Sequence, residues 1–368
     1  MFFPAGPCHG PAASRPQTSV LVPALFVRRQ LQPSSYRMPV ALITPESVLH
    51  IRGPWVEILE RAGFTIAYPE EPTFTRGLCS AAETIRVLKP ASAVIAGGEY
   101  FTPEILAGLP NLRVIARAGV GYDRVDVPES TKRKIAVTIT PTANHEGVAE
   151  QAFALIFAFA KNVVVNDHRT RTGQWSLGTT RPLRGNTLGL VGLGRIGRST
   201  ALRGRAMGMH VLAAETYPNR EFARQHGVEL VDFDTLLARS DYVSLHCPHN
   251  AETHHLFNAK TFAKMKAGSV LINTSRGKLV CEQDLLAALK SGHLAGAGLD
   301  VFEHEPAGSD NPLFALPNVI VSPHLGGADK LSQDNMAIEA ATCIAKLYQN
   351  EWPTGAVVND ELCAGWKW

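Results

Sequence analysis

The chain has 368 residues, 45% hydrophobic and 19% charged, enough for two ordinary domains with their own cores. Its 36 Lys and Arg against 33 Asp and Glu leave a formal net charge of +3. The basic residues are spread along the chain, which speaks against both a nucleic-acid-binding face and a membrane-surface helix. The longest unbroken apolar run, residues 152–160, is nine residues long, too short to span a bilayer, and reads as a buried helix. The six cysteines (Cys8, Cys79, Cys247, Cys281, Cys343, Cys363) include no close pair. Neither a disulfide framework nor a structural zinc site is expected, and reduced thiols in a cytoplasm fit that usage.

In chain order, residues 1–37 come first, with four Arg, six Pro and no Asp or Glu. They read either as an acidic-poor targeting segment or, more simply, as a disordered leader or an over-early start ahead of Met38. Strands are predicted at 40–44, 64–68, 93–96, 114–116 and 136–140, with helical stretches such as 55–62 between them. A long, nearly all-apolar helix follows at 146–162, expected to be buried and to cross between domains. A second strand–helix series occupies 187–191, 210–214, 228–231, 242–246, 269–273, 297–301 and 319–322. A last helix, near 329–349, is free to return to the first unit. Strands alternating with helices predict an α/β protein with two parallel-sheet units.

The strand at 187–191 runs directly into Gly192-Leu193-Gly194-Arg195-Ile196-Gly197, and a helical stretch follows. Strand before and helix after are what give this glycine pattern meaning. Gly192 permits the tight turn, Gly194 lets backbone approach a pyrophosphate, and Gly197 lets the helix pack closely on the strand. The free N–H groups and positive dipole end at the helix start favour phosphate. The next strand ends at Glu215, where a carboxylate accepts from ribose hydroxyls and repels an additional phosphate. NAD, rather than NADP, is the expected cofactor. Nearby, His246, Cys247, His249, His254 and His255 form a local group that lacks the regular spacing of metal ligands, so no metal is expected.

Three segments then fall at or just after strand C-termini: Asn273-Thr274-Ser275-Arg276-Gly277, Asp300-Val301-Phe302-Glu303-His304-Glu305-Pro306, and Ser322-Pro323-His324-Leu325-Gly326-Gly327. Ligands of open parallel sheets sit at that edge, so these residues can converge from distant parts of the chain. Reducing a 2-oxo acid requires a cation for its oxygens, a proton donor and a group that tunes the donor. Arg276 offers a planar fork, His324 an acid and base, and Glu305 a carboxylate that favours the imidazolium.

With Ala118-Gly119-Val120-Gly121-Tyr122-Asp123, Val148-Ala149-Glu150 and Arg171-Thr172-Gly173-Gln174-Trp175, the chain from Val40 to about Val358 resembles the D-isomer-specific 2-hydroxyacid dehydrogenase family. That family includes phosphoglycerate dehydrogenases and glyoxylate and hydroxypyruvate reductases. The resemblance implies that Arg276 binds substrate, that Glu305 partners the acid–base His324, and that the backbone of Val120 and Gly121 holds the substrate carboxylate. It implies that Asp300 holds the nicotinamide carboxamide, that Thr274 lies near the nicotinamide ribose, and that Cys247 and Pro248 line the adenine pocket. It further implies two Rossmann-like, doubly wound domains. Residues 39–141 and 323–368 would make a discontinuous substrate domain, 142–322 an inserted NAD domain that pairs as a homodimer, and 1–38 would lie outside both.

Formate dehydrogenases of the superfamily carry Gln where this chain has Glu305, which argues against formate as substrate. Glu99, in the loop Ala96-Gly97-Gly98-Glu99-Tyr100, stands where phosphoglycerate dehydrogenases tend to place a basic residue. A carboxylate there would repel a phosphorylated substrate, so the expectation is a small unphosphorylated 2-oxo acid, with phosphoglycerate the alternative. An NAD-responsive binding protein of the corepressor type is a further alternative, since function drifts on shared folds.

Overall fold

The computed structural model describes residues 38–175 and 178–368, so the reading of residues 1–37, Cys8 included, lies outside the described residues. The first series runs β1 (Val40–Ile43), α1 (Pro54–Ala62), β2 (Thr65–Ala67), α2 (Ala81–Leu88), β3 (Ala93–Ala96), α3 (Pro103–Ala107), β4 (Val114–Arg117), α4 (Val127–Lys132) and β5 (Ala136–Thr138). Its strands form a parallel five-stranded sheet in the order β2-β1-β3-β4-β5. Two helices follow, α5 (His145–Ala160) and α6 (Val163–Arg171). The second series comprises β6 (Thr187–Val191), α7 (Arg195–Ala206), β7 (His210–Ala214), α8 (Arg220–His226), β8 (Val228–Leu230) and α9 (Phe233–Arg239). It continues through β9 (Tyr242–Leu245), α10 (Ala259–Lys264), β10 (Val270–Asn273), α11 (Glu282–Lys290), β11 (Gly296–Leu299) and β12 (Val319–Val321), and α12 (Lys330–Tyr348) closes the chain's regular structure. The seven strands lie parallel in the order β12-β11-β10-β9-β6-β7-β8, so the order reverses beside β6.

Both sheets are covered on both faces, which is why their strands read as continuous apolar runs rather than alternating ones. The two-residue period still sorts the side chains. In β1, Ala41 and Ile43 enter one core with α1 and α12, while Leu42 enters the opposite core with Leu88 and Leu106. In β10, Val270 and Ile272 pack beneath α5, and Leu271 faces Leu285 and Leu289 of α11. Ala337, Ala340, Ala341, Ile344 and Leu347 of α12 pack into the first of these cores, more than 280 residues from β1 in sequence.

The helix predicted at 146–162 stops at Ala160 and is not buried all round: Ala154 and Phe157 face solvent. Its apolar run has no polar face to mark which side meets the sheet, so periodicity could not reveal the exposed side. The chain then turns at Asn162, in left-handed backbone, into α6, which has no buried residue. No single helix among the described residues is long and apolar enough to cross a membrane.

Candidate active site

Most helices here begin under a side-chain cap: Ser80 accepts from Glu83 N on α2, Asp126 from Glu129 N on α4, and Asp232 from Thr235 N on α9. Helix α7 does not. Its N-cap is Gly194, which makes no side-chain hydrogen bond, and nothing lies within 4 Å of where a Cβ on Gly194 would point. The first N–H groups of α7 therefore face open space, as an anion cradle requires. Gly192 takes a φ of 102° with its missing Cβ against the backbone of His246 and Cys247, and a Cβ on Gly197 would strike the Gly192 carbonyl. Each glycine is needed for a different steric reason.

Around this turn stand the other residues read as cofactor-binding. Arg195 and Ile196 form the first turn of α7. Glu215 closes β7 and turns back on the glycine loop, its Oε2 accepting from Leu193 N at 2.6 Å and its Oε1 from Tyr217 N at 3.1 Å. The Cys247 carbonyl accepts from Ser275 Oγ at 2.7 Å, tying the loop after β9 to the loop after β10, and the Pro248 carbonyl accepts from Thr253 Oγ1. Burial pushes the Cys247 thiol up to about 11, so it is an inert wall. Burial also drives His246 down to about 4, leaving a neutral ring bonded to Ser244 Oγ at 2.9 Å. Thr274 sits just past the end of β10 with a buried hydroxyl that has no partner among the described residues. An uncapped helix start, an open glycine, a strand-end carboxylate and an unpaired hydroxyl together fit a dinucleotide.

Asp300 follows β11, fully buried. Its Oδ1 accepts from Ser322 Oγ at 2.5 Å and Leu325 N at 2.9 Å, and its Oδ2 accepts from Gly326 N at 2.8 Å. His324 N donates to the Asp300 carbonyl at 2.8 Å. One residue thus fixes the whole 322–326 loop, and with it His324, which has a φ of 57°. That side chain is 49% exposed, and its Nδ1 lies 2.8 Å from Glu305 Oε2. Burial raises the Glu305 carboxyl, but the hydrogen bond and charge of His324, with the Phe302 N–H, hold it below its ordinary value. It is an anion bonded to the imidazole.

Arg276 lies just past β10, in the loop that Ser275 ties to Cys247. Gly277 behind it has no room for a Cβ, because the Phe302 carbonyl group occupies that space. The Arg276 and Glu305 loops therefore pack against each other, and Phe302 N donates to Glu305 Oε1 at 3.1 Å. The guanidinium crosses to the five-stranded lobe: Nε donates to Asp123 Oδ2 at 2.7 Å, Nη1 to the Ser275 carbonyl, and Nη2 lies where a Cβ on Gly121 would be. Val120 and Gly121 belong to a loop fixed by mutual bonds between Gly119 and Thr140, with Gly119 at a φ of 149°. Arg276 and Gly121 are thus brought together, and so are His324, Glu305 and Asp300. Asp123 is a contact that residue type did not single out; its only sequence signal was its place in the Ala118–Asp123 motif. Burial raises its carboxyl, and the charge and hydrogen bond of Arg276 bring it below the usual range.

The reading of Glu99 needs correction. It does not face the cleft but is 1% exposed, with Thr44 Oγ1 2.6 Å from Oε1 and Thr75 Oγ1 3.3 Å from Oε2. Gly97 and Gly98 let Thr75 lie directly on the loop, and the two threonines draw the carboxyl inward. Burial pushes it up, Arg117 opposing. Glu99 therefore does not stand in the cleft to repel a phosphorylated substrate. The groups that do line the neighbouring cleft of about 550 Å³ include Tyr100, Tyr122, Asp123, Arg124 and His249.

Residues 153–326 match the family described as D-isomer specific 2-hydroxyacid dehydrogenase, NAD binding domain. A glyoxylate reductase of Korarchaeum cryptofilum is 41% identical over 266 residues, covering 70% of this chain and 80% of the relative. A D-3-phosphoglycerate dehydrogenase of Mycobacterium leprae is also 41% identical, over 267 residues, but the match spans only 50% of that longer protein. Among solved structures, D-lactate dehydrogenase from Aquifex aeolicus, complexed with NAD and lactic acid, superposes with a TM-score of 0.73 at 30% identity, covering 87% of this chain and 98% of that one.

Proposed function

The chain belongs to the D-isomer specific 2-hydroxyacid dehydrogenase family, and on that premise we propose that it interconverts a small, unphosphorylated 2-oxo acid and its D-2-hydroxy acid with NAD as cofactor. The observation that carries it is the packing of the Arg276 loop on the Glu305 loop at the C-terminal edge of the seven-stranded sheet, with Arg276 bonded to Asp123 and Glu305 to His324. In this reading residues 142–322 hold NAD, while 39–141 with 323–368 form the lobe that closes on substrate. The bound nicotinamide supplies or accepts the hydride. Arg276 offers its free Nη protons to the substrate oxygens, and the Val120 and Gly121 N–H groups receive the carboxylate. Glu305 takes the Nδ1 side of His324, which fixes the ring and leaves Nε2 to give a proton to the carbonyl oxygen or take one from the hydroxyl.

Purified protein should oxidise NADH with glyoxylate, hydroxypyruvate or pyruvate in preference to 3-phosphohydroxypyruvate. The solved structures of a glyoxylate reductase and a D-lactate dehydrogenase, 29% and 30% identical to this chain, support that order. The opposite order would favour the phosphorylated reading, for which one observation speaks: Arg117, whose buried Nη1 has no partner among the described residues, feels the charges of both Arg124 and Arg276. No turnover of any acid with NADH still bound would favour the binding-protein reading.

In this reading Glu215, just past the end of β7, would accept from the adenosine ribose hydroxyls, so Glu215→Ala should cut the NAD-over-NADP ratio of kcat/KM by about tenfold or more. An unchanged ratio would assign the choice to another residue. Helix α6 has no buried residue and presents Val163, Val164 and Val165 beside the exposed Phe157. A short helix without packing of its own is not stable in water, which supports a homodimer covering this face. Sedimentation equilibrium should give twice the chain mass. The free thiols of Cys79, Cys247, Cys281, Cys343 and Cys363 support a reducing compartment such as the cytoplasm.

A further inference from the structure

Behind the Arg276 loop, three side chains of different chemistry meet. His255, Cys281 and Glu303 each offer one ligand atom, and those atoms all lie within 4.8 Å of one another, with His255 Nε2 3.1 Å from Glu303 Oε1. They come from three separate segments: the turn before α10, the residue that opens α11, and the loop after β11. Sequence spacing does not mark them as a set, since 26 and 22 residues separate them along the chain. From this geometry we infer that the chain carries a second, non-catalytic site for a divalent transition metal of the zinc class, ligated by His255 Nε2, Cys281 Sγ and Glu303 Oε1.

Four features support the inference. Tetrahedral zinc bonds of 2.0–2.3 Å separate ligand atoms by about 3.4–3.8 Å, so Cys281 Sγ needs to draw in by about 1.4 Å at most while His255 Nε2 and Glu303 Oε1, 3.1 Å apart, open slightly. Cys281 occupies the N-cap position of α11, where its sulfur lies beside the Asp284 N–H, a donor that would steady a metal-bound thiolate. The carboxylate is oriented from behind, because Glu303 Oε1 accepts from Glu282 N at 2.9 Å while Glu282 Oε1 accepts from Glu303 N at 2.7 Å. Outer bonds of that kind hold metal ligands in place. His255 is itself constrained, with a φ of 50° and its ring stacked on His254 at 4.0 Å. A nitrogen, a sulfur and one oxygen select zinc or cobalt over magnesium or calcium, and three protein ligands leave the fourth position to water.

The metal would tie together loops that flank the catalytic ones. His255 N donates to the Lys278 carbonyl at 2.9 Å, two residues past Arg276, and Glu303 lies two residues before Glu305. The ligands include none of Arg276, Glu305 and His324, so the inference stands apart from the oxidoreductase reading.

The test uses the full chain, stripped with a chelator and titrated with cobalt(II) alone. One equivalent should give a thiolate-to-cobalt charge-transfer band in the near ultraviolet, and at about 100 times Kd it should raise Tm by about 3 °C. Cys281→Ser should lose both signals, and Cys247→Ser should keep both. His255→Ala should weaken cobalt binding at least about tenfold, and it carries the test alone if Cys281→Ser no longer binds NADH. Absence of the band at one equivalent, or a band of full strength in Cys281→Ser or His255→Ala, overturns the site.

Discussion

His324→Ala is expected to lower kcat by about 10²- to 10⁴-fold, the usual worth of a positioned proton donor, while NADH binds within about twofold of the original affinity. The separation of the two readouts follows from the geometry. His324 is held by the Asp300 backbone and the Glu305 carboxylate, whereas the glycine turn, Glu215 and Cys247 belong to loops after β6, β7 and β9. Steady-state kinetics and fluorescence titration of NADH measure the two effects independently. A collapse of NADH affinity in this variant would mean that His324 supports the cofactor rather than the reacting oxygen. Glu305→Gln gives the finer comparison: the amide can still bond Nδ1 but cannot balance an imidazolium charge, so a smaller loss of kcat is expected.

The second large effect belongs to Arg276. If Arg276 binds substrate as proposed, Arg276→Ala should remove two charge-assisted hydrogen bonds, each worth about 1.5–3 kcal/mol, and kcat/KM should fall by about 10²- to 10⁴-fold. Part of the loss should appear as a higher KM, because the grip on the substrate carboxylate is made before reaction as well as during it. Arg276→Lys should recover only a fraction, since an ammonium cannot reach Asp123, the substrate and the Ser275 carbonyl with one planar fork. Equal kcat/KM for Lys and Arg would show that a point charge suffices and that the fork geometry is idle.

The strands were legible because buried parallel strands leave short β-branched runs between helices, and β7 at His210–Ala214 coincides with its predicted span. The glycine turn was legible because its function is steric and local. Arg276, Glu305 and His324 were legible by position, each just past a strand end, where any open parallel sheet places ligands. Three features were not. The Asp123–Arg276 pair joins residues 153 apart and leaves no periodic trace. Glu99 looked like a surface charge because the pull of Thr44 and Thr75 depends on how two distant segments pack. Helix α6 was not predicted, because its three valines are followed only by polar residues and leave no helical period.

The way α12 and the last residues complete the five-stranded lobe has a consequence for how the molecule is made. Besides the α12 residues in its core, Asn359 bonds the backbone of Ile135 and Val137, and Trp366 Nε1 donates to the Lys134 carbonyl. On a ribosome the N-terminal strands emerge first but must wait for the final residues, while β6 to β12 have all their partners in hand. The second lobe is therefore the first able to fold, while one face of the first lobe's sheet waits for α12 under α1 alone. That exposed interval, rather than the finished enzyme, is where this chain is most open to aggregation and to capture by a chaperone.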